Sequence, residues 1–197
     1  MNVQITADWL RRSLAGKRQQ TVVREPAVPQ GQPIAAAVLL PIVARPSGLT
    51  VLLTQRTTHL RDHAGQVCFP GGCCETSDVS PVATALRESQ EEVGILPAQV
   101  EVLATLPDYF TSTGYRITPV VGLVTPPLNL QLDDFEVAEV FEPPLSFLLD
   151  PANYRKHPFE RDGVVHHYWA APWQEYIIWG ATAGMLVSLR EYLNLHD

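Results

Sequence analysis

Three glutamates, Glu88, Glu91 and Glu92, stand at positions i, i+3 and i+4 shortly after the glycine pair Gly71 and Gly72. On an α-helix these positions project from one face, about 5–6 Å apart. Three negative charges at that spacing repel one another and destabilise a bare helix. A divalent cation would relieve the repulsion, because Mg²⁺ and Ca²⁺ bind hard oxygen ligands. The spacing therefore predicts a metal-binding helix face, although a solvated acidic face of an amphipathic helix gives the same pattern.

The residues around the glutamates mark the ends of this helix. Ser80 favours the N-cap, Pro81 fits the first helical position, and Gly94 suits the left-handed residue just past the end. The face expected to pack on the core lies about 140° from the glutamates on the helical wheel and consists of Val82, Leu86, Ser89 and Val93. We also expect Arg87 to pair with Glu91 one turn away.

Basic side chains precede the acidic helix in a chain whose net charge is −7; they are Arg56, Arg61 and His63. Positive charge beside a metal site suits a diphosphate, because the ion neutralises some oxygens and a guanidinium binds others in a bidentate manner. Gly71 and Gly72 permit close approach of a ligand or a helix to the backbone. The alternative interpretation is a surface loop with ordinary charges and plain turn glycines.

Residues 72–95 resemble the Nudix box, which reads Gly, five residues, Glu, seven residues, Arg-Glu, an apolar residue, any residue, Glu-Glu, any residue, Gly and an apolar residue. The matching positions are Gly72, Arg87, Glu88, Glu91, Glu92, Gly94 and Ile95. Asp78 stands in place of the first glutamate, and eight residues instead of seven separate it from Arg87. Ser89 replaces the usual apolar residue. These departures give no support to a metal role for Asp78 and leave the R-E-x-x-E-E-x-G core whole.

Residues 52–72, LLTQRTTHLRDHAGQVCFPGG, resemble the signature of the coenzyme A pyrophosphatase branch of the Nudix family. The signature residues present are Arg56, Arg61, Gly65, Phe69, Pro70, Gly71 and Gly72. Thr57 stands where Ser or Ala is more usual. The two blocks together cover residues 52–95, under a quarter of the chain, and the resemblance extends to residues 114–122 and 177–184.

This resemblance implies an enzyme that uses Mg²⁺ or Mn²⁺ to hydrolyse the diphosphate linkage of coenzyme A or of its acyl or oxidised derivatives. The implied products are adenosine 3′,5′-bisphosphate and 4′-phosphopantetheine. Glu88 and Glu92, with Glu91 nearby, are the expected metal ligands, and Glu91 and Arg87 are the expected catalytic residues. The expected substrate-binding residues are Arg56, Arg61, Gly71 and Gly72.

Two alternatives stay open: a Nudix hydrolase for ADP-ribose or nucleoside triphosphates, and a non-catalytic Nudix module that binds nucleotides. The block at residues 52–72 disfavours the first, and the intact acidic triad disfavours the second. The general base is also open, because a carboxylate bound directly to a cation has a lowered pKa and accepts protons poorly. Glu91, Glu136 and Glu139 are the candidates for that role.

The composition, 46% hydrophobic over 197 residues, favours one domain, residues 1–197, with a real core. Residues 1–33 are expected to hold a helix at 7–15, capped by Thr6, and a connector rich in Gln and Pro. Further strands are expected at 34–44, 49–56, 100–106, 117–124, 154–159, 164–171 and 176–179, and helices at 145–149 and 181–193. Mixed strands flanked by helices predict an α+β layered sheet, and the resemblance implies the Nudix-type α/β/α sandwich with a mixed sheet.

The charge balance and the apolar runs restrict the partners. With 14 basic and 21 acidic side chains, no nucleic-acid-binding surface is expected, since phosphate contacts dominate such binding. The apolar run 34–44 contains Pro41 and is too short to span a bilayer. No signal peptide is expected, and Cys68, Cys73 and Cys74 are expected to be reduced thiols in the cytoplasm. A small-molecule substrate is the expected partner, and the oligomeric state stays open.

Overall fold

The structure is a computed structural model that describes residues 4–16, 21–26, 28–60, 62–161 and 163–195. Its helices are α1 (Ala7–Leu14), α2 (Pro81–Val93), α3 (Leu145–Leu149) and α4 (Gly180–Tyr192). Its strands are β1 (Val23–Arg24), β2 (Ile34–Arg45), β3 (Gly48–Val51), β4 (Leu53–Arg56), β5 (Val67–Cys68), β6 (Gly71–Cys73), β7 (Val100–Thr105), β8 (Tyr109–Phe110), β9 (Tyr115–Val124), β10 (Val137–Phe141), β11 (Arg155–Arg161), β12 (Val164–Trp173) and β13 (Tyr176–Trp179).

A mixed seven-stranded sheet is built around the apolar strand β2. One side of β2 pairs in parallel with β9, and the other side pairs antiparallel with β3 and β6. Strands β7 and β8 lie antiparallel along β9, and β1 is parallel to β8. Because both faces of β2 are covered, the strand reads as a continuous apolar run instead of an alternating one.

Helices cover both faces of this central sheet. On one face, Ala85 of α2 packs in a buried cluster with Ala37, Leu39 and Val120. The large cluster on the other face joins sheet residues to α1, α3 and α4 through Leu10, Leu40, Ile42, Val121, Leu145, Ala183 and Leu186. The α/β/α layering and the mixed sheet confirm the expected fold class.

Two three-stranded sheets, β10-β4-β5 and β11-β12-β13, complete the molecule. The single strand expected at 49–56 is in fact two strands, because the chain leaves the central sheet at Leu52. The Leu52 side chain is fully buried, and its N–H donates to Pro41 O at 3.0 Å. Strand β3 stays beside β2, whereas β4 pairs with β10 and β5 in the second sheet. Arg56, the last residue of β4, is thereby placed outside the central sheet.

The expected helices are confirmed to within one or two residues at their ends. Thr6 caps α1, its Oγ1 accepting from Trp9 N at 3.2 Å, and α4 begins one residue earlier than expected, at Gly180. Five short strands were not expected: β1, β5, β6, β8 and β10. Strand β10 lies in the acidic stretch at 136–142, whose composition favours a loop. No helix among the described residues has the length and apolar character needed to cross a membrane.

Candidate active site

Helix α2 is delimited by the residues that the sequence indicates. The Ser80 Oγ atom accepts from Ala83 N at 3.2 Å, Pro81 opens the helix, and Gly94 closes it in the left-handed conformation with φ 75°. The Gly94 N–H donates to Gln90 O at 3.0 Å. These caps fix the length of α2 and therefore which turn faces strand β6.

The carboxylates of Glu88 and Glu92 lie directly against the glycines of β6. The Glu92 Oε2 atom accepts from Gly71 N at 3.0 Å. A Cβ atom placed on Gly72 would lie 2.5 Å from the carboxyl carbon of Glu88 and 2.6 Å from both of its oxygens. Gly72 thus allows the acidic helix to approach the strand closely.

Burial and mutual repulsion act on these two carboxylates. Only 6% of the Glu92 side chain is exposed. Burial raises the pKa of Glu92 to about 8; the Gly71 N–H and Arg56 oppose that rise, and the charges of Glu136 and Glu88 add to it. Burial also raises the pKa of Glu88, despite the neighbouring Arg87. Without a cation, the site holds negative charge at a cost in free energy.

Arg87 organises the acidic side chains along the outer edge of α2. Its Nη1 atom lies 2.8 Å from Glu88 Oε1 and 3.0 Å from Glu91 Oε2, which confirms the expected pairing with Glu91. Its Nε and Nη2 atoms donate to the two oxygens of Asp78 at 3.1 and 3.0 Å. Asp78 therefore holds Arg87 in place, and these hydrogen bonds keep the pKa of Asp78 well below its usual range. The Glu91 side chain is 59% exposed.

Arg56 reaches the site from the second sheet. Its Nη1 atom lies 3.9 Å from Glu92 Oε1, and its Nη2 atom lies 3.7 Å from Glu136 Oε2. Both distances exceed hydrogen-bond length, and the buried Nε atom has no hydrogen-bond partner. The guanidinium therefore faces two carboxylates, and its N–H donors are not used in hydrogen bonds to them.

Glu136 and Glu139, the two loop candidates for the base, are separated by the structure. Glu136 directly precedes β10, its backbone O accepts from Thr57 N at 3.0 Å, and its carboxylate faces Arg56. The Glu139 carboxylate instead interacts with Tyr176, where it adds to the effect of burial in raising the pKa of the phenol. Only Glu136 of this pair approaches Glu88 and Glu92. The sequence could not distinguish them, because the choice depends on the register between β4 and β10.

The expected basic cluster is only partly within the described residues. Arg61 lies outside them, and its position as a substrate-binding residue stays a prediction. His63 has a positive φ of 56°, and its Nδ1 atom lies 2.9 Å from Gln66 Oε1. The segment that carries these residues is closed at its base, because Arg56 N donates to Gln66 O at 2.9 Å.

A buried thiol is an unexpected neighbour of the site. Cys68 of β5 lies 3.2 Å from Thr54 Oγ1, and burial raises the pKa of its thiol while the nearby charge of Glu92 adds to the rise. A raised pKa keeps the sulfur protonated and unreactive. Cys68, Cys73 and Cys74 are all free thiols.

Glu88 and Glu92 fit a divalent cation by the chemistry of their donors. Within the described ranges, no three His, Cys, Asp or Glu side chains form a group that could hold a metal ion by themselves. Mg²⁺ does not need such a cage, since it keeps several waters and is usually bound by one or two carboxylates together with substrate phosphates. A buried carboxylate and a half-buried one, both with raised pKa values, are a pair that a cation would stabilise.

Comparison with known proteins gives three kinds of similarity. A family model described as the NUDIX domain matches residues 33–168. The "Uncharacterized Nudix hydrolase NudL" of Escherichia coli K12 is 48% identical over 155 residues, covering 78% of this chain and 80% of that protein. Among solved structures, the M. smegmatis Nudix hydrolase RenU is similar with a TM-score of 0.50 and 22% identity, covering 64% of this chain and 81% of that one.

A second solved structure, a MutT/nudix family protein from Enterococcus faecalis, is similar over 97% of this chain and 71% of that one. Its TM-score is also 0.50, and its sequence identity is 14%. At these identities the two structures show the shared fold alone.

Proposed function

Because the chain belongs to the Nudix family of hydrolases, which act on nucleotide-type substrates, we propose that it hydrolyses the diphosphate linkage of coenzyme A and its derivatives. The products would be adenosine 3′,5′-bisphosphate and 4′-phosphopantetheine. The observation that carries the proposal is the Arg56 guanidinium. Its Nη1 and Nη2 atoms face Glu92 and Glu136 beyond hydrogen-bond length, and its buried Nε atom has no hydrogen-bond partner. Arg56 belongs to the block at residues 52–72 that resembles the coenzyme A pyrophosphatase signature.

The metal ligands in this proposal are Glu88 and Glu92, with Glu91 nearby. Nudix hydrolases generally use divalent metals such as Mg²⁺ or Mn²⁺. When bound, such an ion polarises the diphosphate and lowers the pKa of a coordinated water. Arg87 would keep Glu88 and Glu91 oriented, since its Nη1 atom contacts both carboxylates.

Arg56 would bind the non-bridging oxygens of the diphosphate and stabilise the negative charge that develops on them. The position suits this task, because Glu92 and Glu136 lie near the guanidinium but too far away to occupy its N–H donors. Arg61 is proposed for the same role. Gly71 and Gly72 would contribute close backbone approach next to the reacting groups.

Glu136 and Glu91 are the two proposed acceptors of the proton released by the attacking water. Glu136 faces the site from the second sheet, and Arg56 is too far away, at 3.7 Å, to hold its carboxylate by a hydrogen bond. Glu91 is engaged by Arg87 at 3.0 Å. The geometry favours Glu136, because a base must be free to accept a proton.

The test is a substrate panel with purified protein and Mg²⁺ or Mn²⁺. We expect kcat/KM for coenzyme A to exceed that for ADP-ribose by at least about 100-fold, since the 3′-phosphate and the pantetheine arm offer polar contacts that ADP-ribose lacks. Nucleoside triphosphates and NADH complete the panel, with products separated by chromatography. Comparable rates on coenzyme A and ADP-ribose would leave a general Nudix hydrolase and refute the proposed substrate.

Two variants show whether the activity belongs to the described site. Glu92→Gln removes a proposed charged ligand and should lower turnover by about 10²-fold or more. Glu191→Gln changes an exposed glutamate on α4 and should leave turnover unchanged. A Glu92→Gln protein as active as the wild type would remove Glu92 from the proposed metal site.

A further inference from the structure

An exposed aromatic pair lies at the edge of the proposed active site. The Phe135 side chain is 64% exposed, and among the large apolar side chains that the structure describes as exposed, only Val79 is more so. The ring of His59 contacts that of Phe135, with centroids 4.8 Å apart and ring planes inclined by 58°. Exposing such a ring to water is unfavourable. A ligand that covers the exposed face of Phe135 would therefore gain binding free energy.

The backbone holds Phe135 in a fixed position. Its N–H donates to Asp133 Oδ1 at 2.9 Å, and its O accepts from Thr57 Oγ1 at 2.7 Å. The next residue is also fixed, because Glu136 N donates to Asp133 O at 3.0 Å. An exposed ring on a mobile loop would lose backbone conformational entropy on binding a ligand, whereas the backbone that carries this ring is already held by hydrogen bonds.

Both members of the pair are close in sequence to residues of the proposed site. Phe135 precedes Glu136, whose carboxylate lies 3.7 Å from Arg56 Nη2, and Thr57 follows Arg56 directly. In a nucleoside diphosphate, a single ribose separates the base from its 5′-phosphate. A diphosphate bound at Arg56 therefore leaves its base within reach of Phe135.

We propose that Phe135, supported by the ring of His59, is the stacking surface for the adenine ring of the substrate. The inference rests on the proposed function, since it assigns one part of that substrate to one part of the same site. A purine has a flat π-face that stacks on an aromatic side chain. The pantetheine arm is a flexible chain of amides and methylenes without such a face, so it is assigned elsewhere.

Binding of the two product halves tests the assignment without turnover. Calorimetry in Mg²⁺ would compare adenosine 3′,5′-bisphosphate with 4′-phosphopantetheine on the wild type, Phe135→Ala and Phe135→Tyr. Loss of a stacked base on alanine substitution is expected to weaken the adenosine half about tenfold. The phosphopantetheine half should bind Phe135→Ala as it binds the wild type, and Phe135→Tyr should keep both affinities. The matched control is Val102→Ala, an exposed apolar residue on β7, which pairs with β9.

Each outcome decides one of the two proposals. Unchanged binding of the adenosine half to Phe135→Ala, or an equal loss on both halves, would overturn the stacking assignment. A wild type that binds the adenosine half but leaves coenzyme A intact contradicts only the proposed function. A wild type that binds neither half contradicts both. In turnover, Phe135→Ala should raise KM for coenzyme A about tenfold with kcat nearly unchanged, as expected when binding common to the ground state and transition state is lost.

Discussion

Gly71 and Gly72 are adjacent, yet their side-chain positions meet different surroundings. The three atoms nearest to a Cβ atom on Gly72 would be those of the Glu88 carboxyl group, the end of a flexible side chain. A Cβ atom on Gly71 would meet the backbone of Ala37 and Val38, and Gly71 has a φ of 157°. The two glycines therefore serve different purposes, Gly72 for the position of a carboxylate and Gly71 for the pairing of two strands.

This difference predicts opposite outcomes for two alanine substitutions. Gly72→Ala should leave the free energy of unfolding nearly unchanged but lower kcat, because Glu88 must move away from its position. Gly71→Ala should destabilise the protein by about 1–3 kcal/mol, because backbone must shift. Urea denaturation and steady-state kinetics on both variants measure the two effects. A Gly72→Ala enzyme with wild-type kcat would show that the position of Glu88 is unimportant.

Glu136 and Glu139 provide a matched pair for locating the base. Glu136→Gln should lower kcat by about 10²-fold and remove the acidic limb of the pH–rate profile, because the proton acceptor is lost. Glu139→Gln should change neither quantity, since that side chain interacts with Tyr176 and not with Arg56. If both variants keep the acidic limb and lose less than about tenfold in kcat, the base is Glu91 or no side-chain base is needed.

Individual site residues differ in how far the sequence could predict them. The spacing of Glu88, Glu91 and Glu92 and the two glycines are local, so the pattern shows which residues face one another. The burial of Glu92 and the approach of Arg56 and Glu136 depend on strands distant in sequence. No local rule gives a register between β4 and β10, and for that reason Glu136 and Glu139 were indistinguishable beforehand.

At the scale of elements, one ion pair joins the β2–β3 hairpin to the chain that follows β10. Arg45 Nη2 lies 2.5 Å from Glu142 Oε1, and Thr50 Oγ1 donates to Glu142 Oε2 at 2.7 Å. Burial alone would raise the pKa of Glu142, but the hydrogen bonds from Arg45 and Thr50 outweigh it, and the pKa is lowered. Because this carboxylate is only 20% exposed, solvent screens the pair less than a surface ion pair.

The lowered pKa of Glu142 gives a signed pH dependence. Its contribution is present above the unfolded-state value of about 4.3 and is lost as the pH falls through the lower folded-state pKa. We expect Glu142→Gln to reduce the free energy of unfolding by about 1 kcal/mol at pH 7 and to remove part of the loss on acidification. Urea denaturation of both proteins between neutral and acidic pH measures this difference. Parallel curves for the two proteins would contradict the assignment.

The elements themselves were predictable where the pattern is long. Helix α2 is bounded by its own caps, and β2 and β9 are long apolar runs, so their existence follows from local sequence. The short strands β5, β6 and β10 are not predictable in this way. Strand β6 consists of Gly-Gly-Cys, a composition with little strand preference, and it is extended because β2 offers an unpaired edge.

Across the whole molecule, the proposed site lies where two sheets meet. Helix α2 packs on the central sheet, to which β6 belongs, whereas Arg56 ends β4 and Glu136 directly precedes β10 of the second sheet. The change of sheet at Leu52 brings them together. We propose residues 1–197 as one domain on this basis, because neither sheet alone carries both the acidic helix and Arg56. The resemblance gave the α/β/α class, but the split of residues 49–56 between two sheets required the structure.

The backbone hydrogen bond at the base of the segment between β4 and β5 allows this segment to change in evolution while its two ends stay in place. Arg56 and Gln66 are joined across the base of that segment by a backbone hydrogen bond of 2.9 Å, so its two ends are fixed next to each other. A natural insertion, or a loop grafted in the laboratory, would change this segment without altering the spacing of Arg56, Glu88 and Glu92. During evolution, the residues proposed to carry out the reaction can therefore stay the same while this segment, and with it the range of substrates, changes.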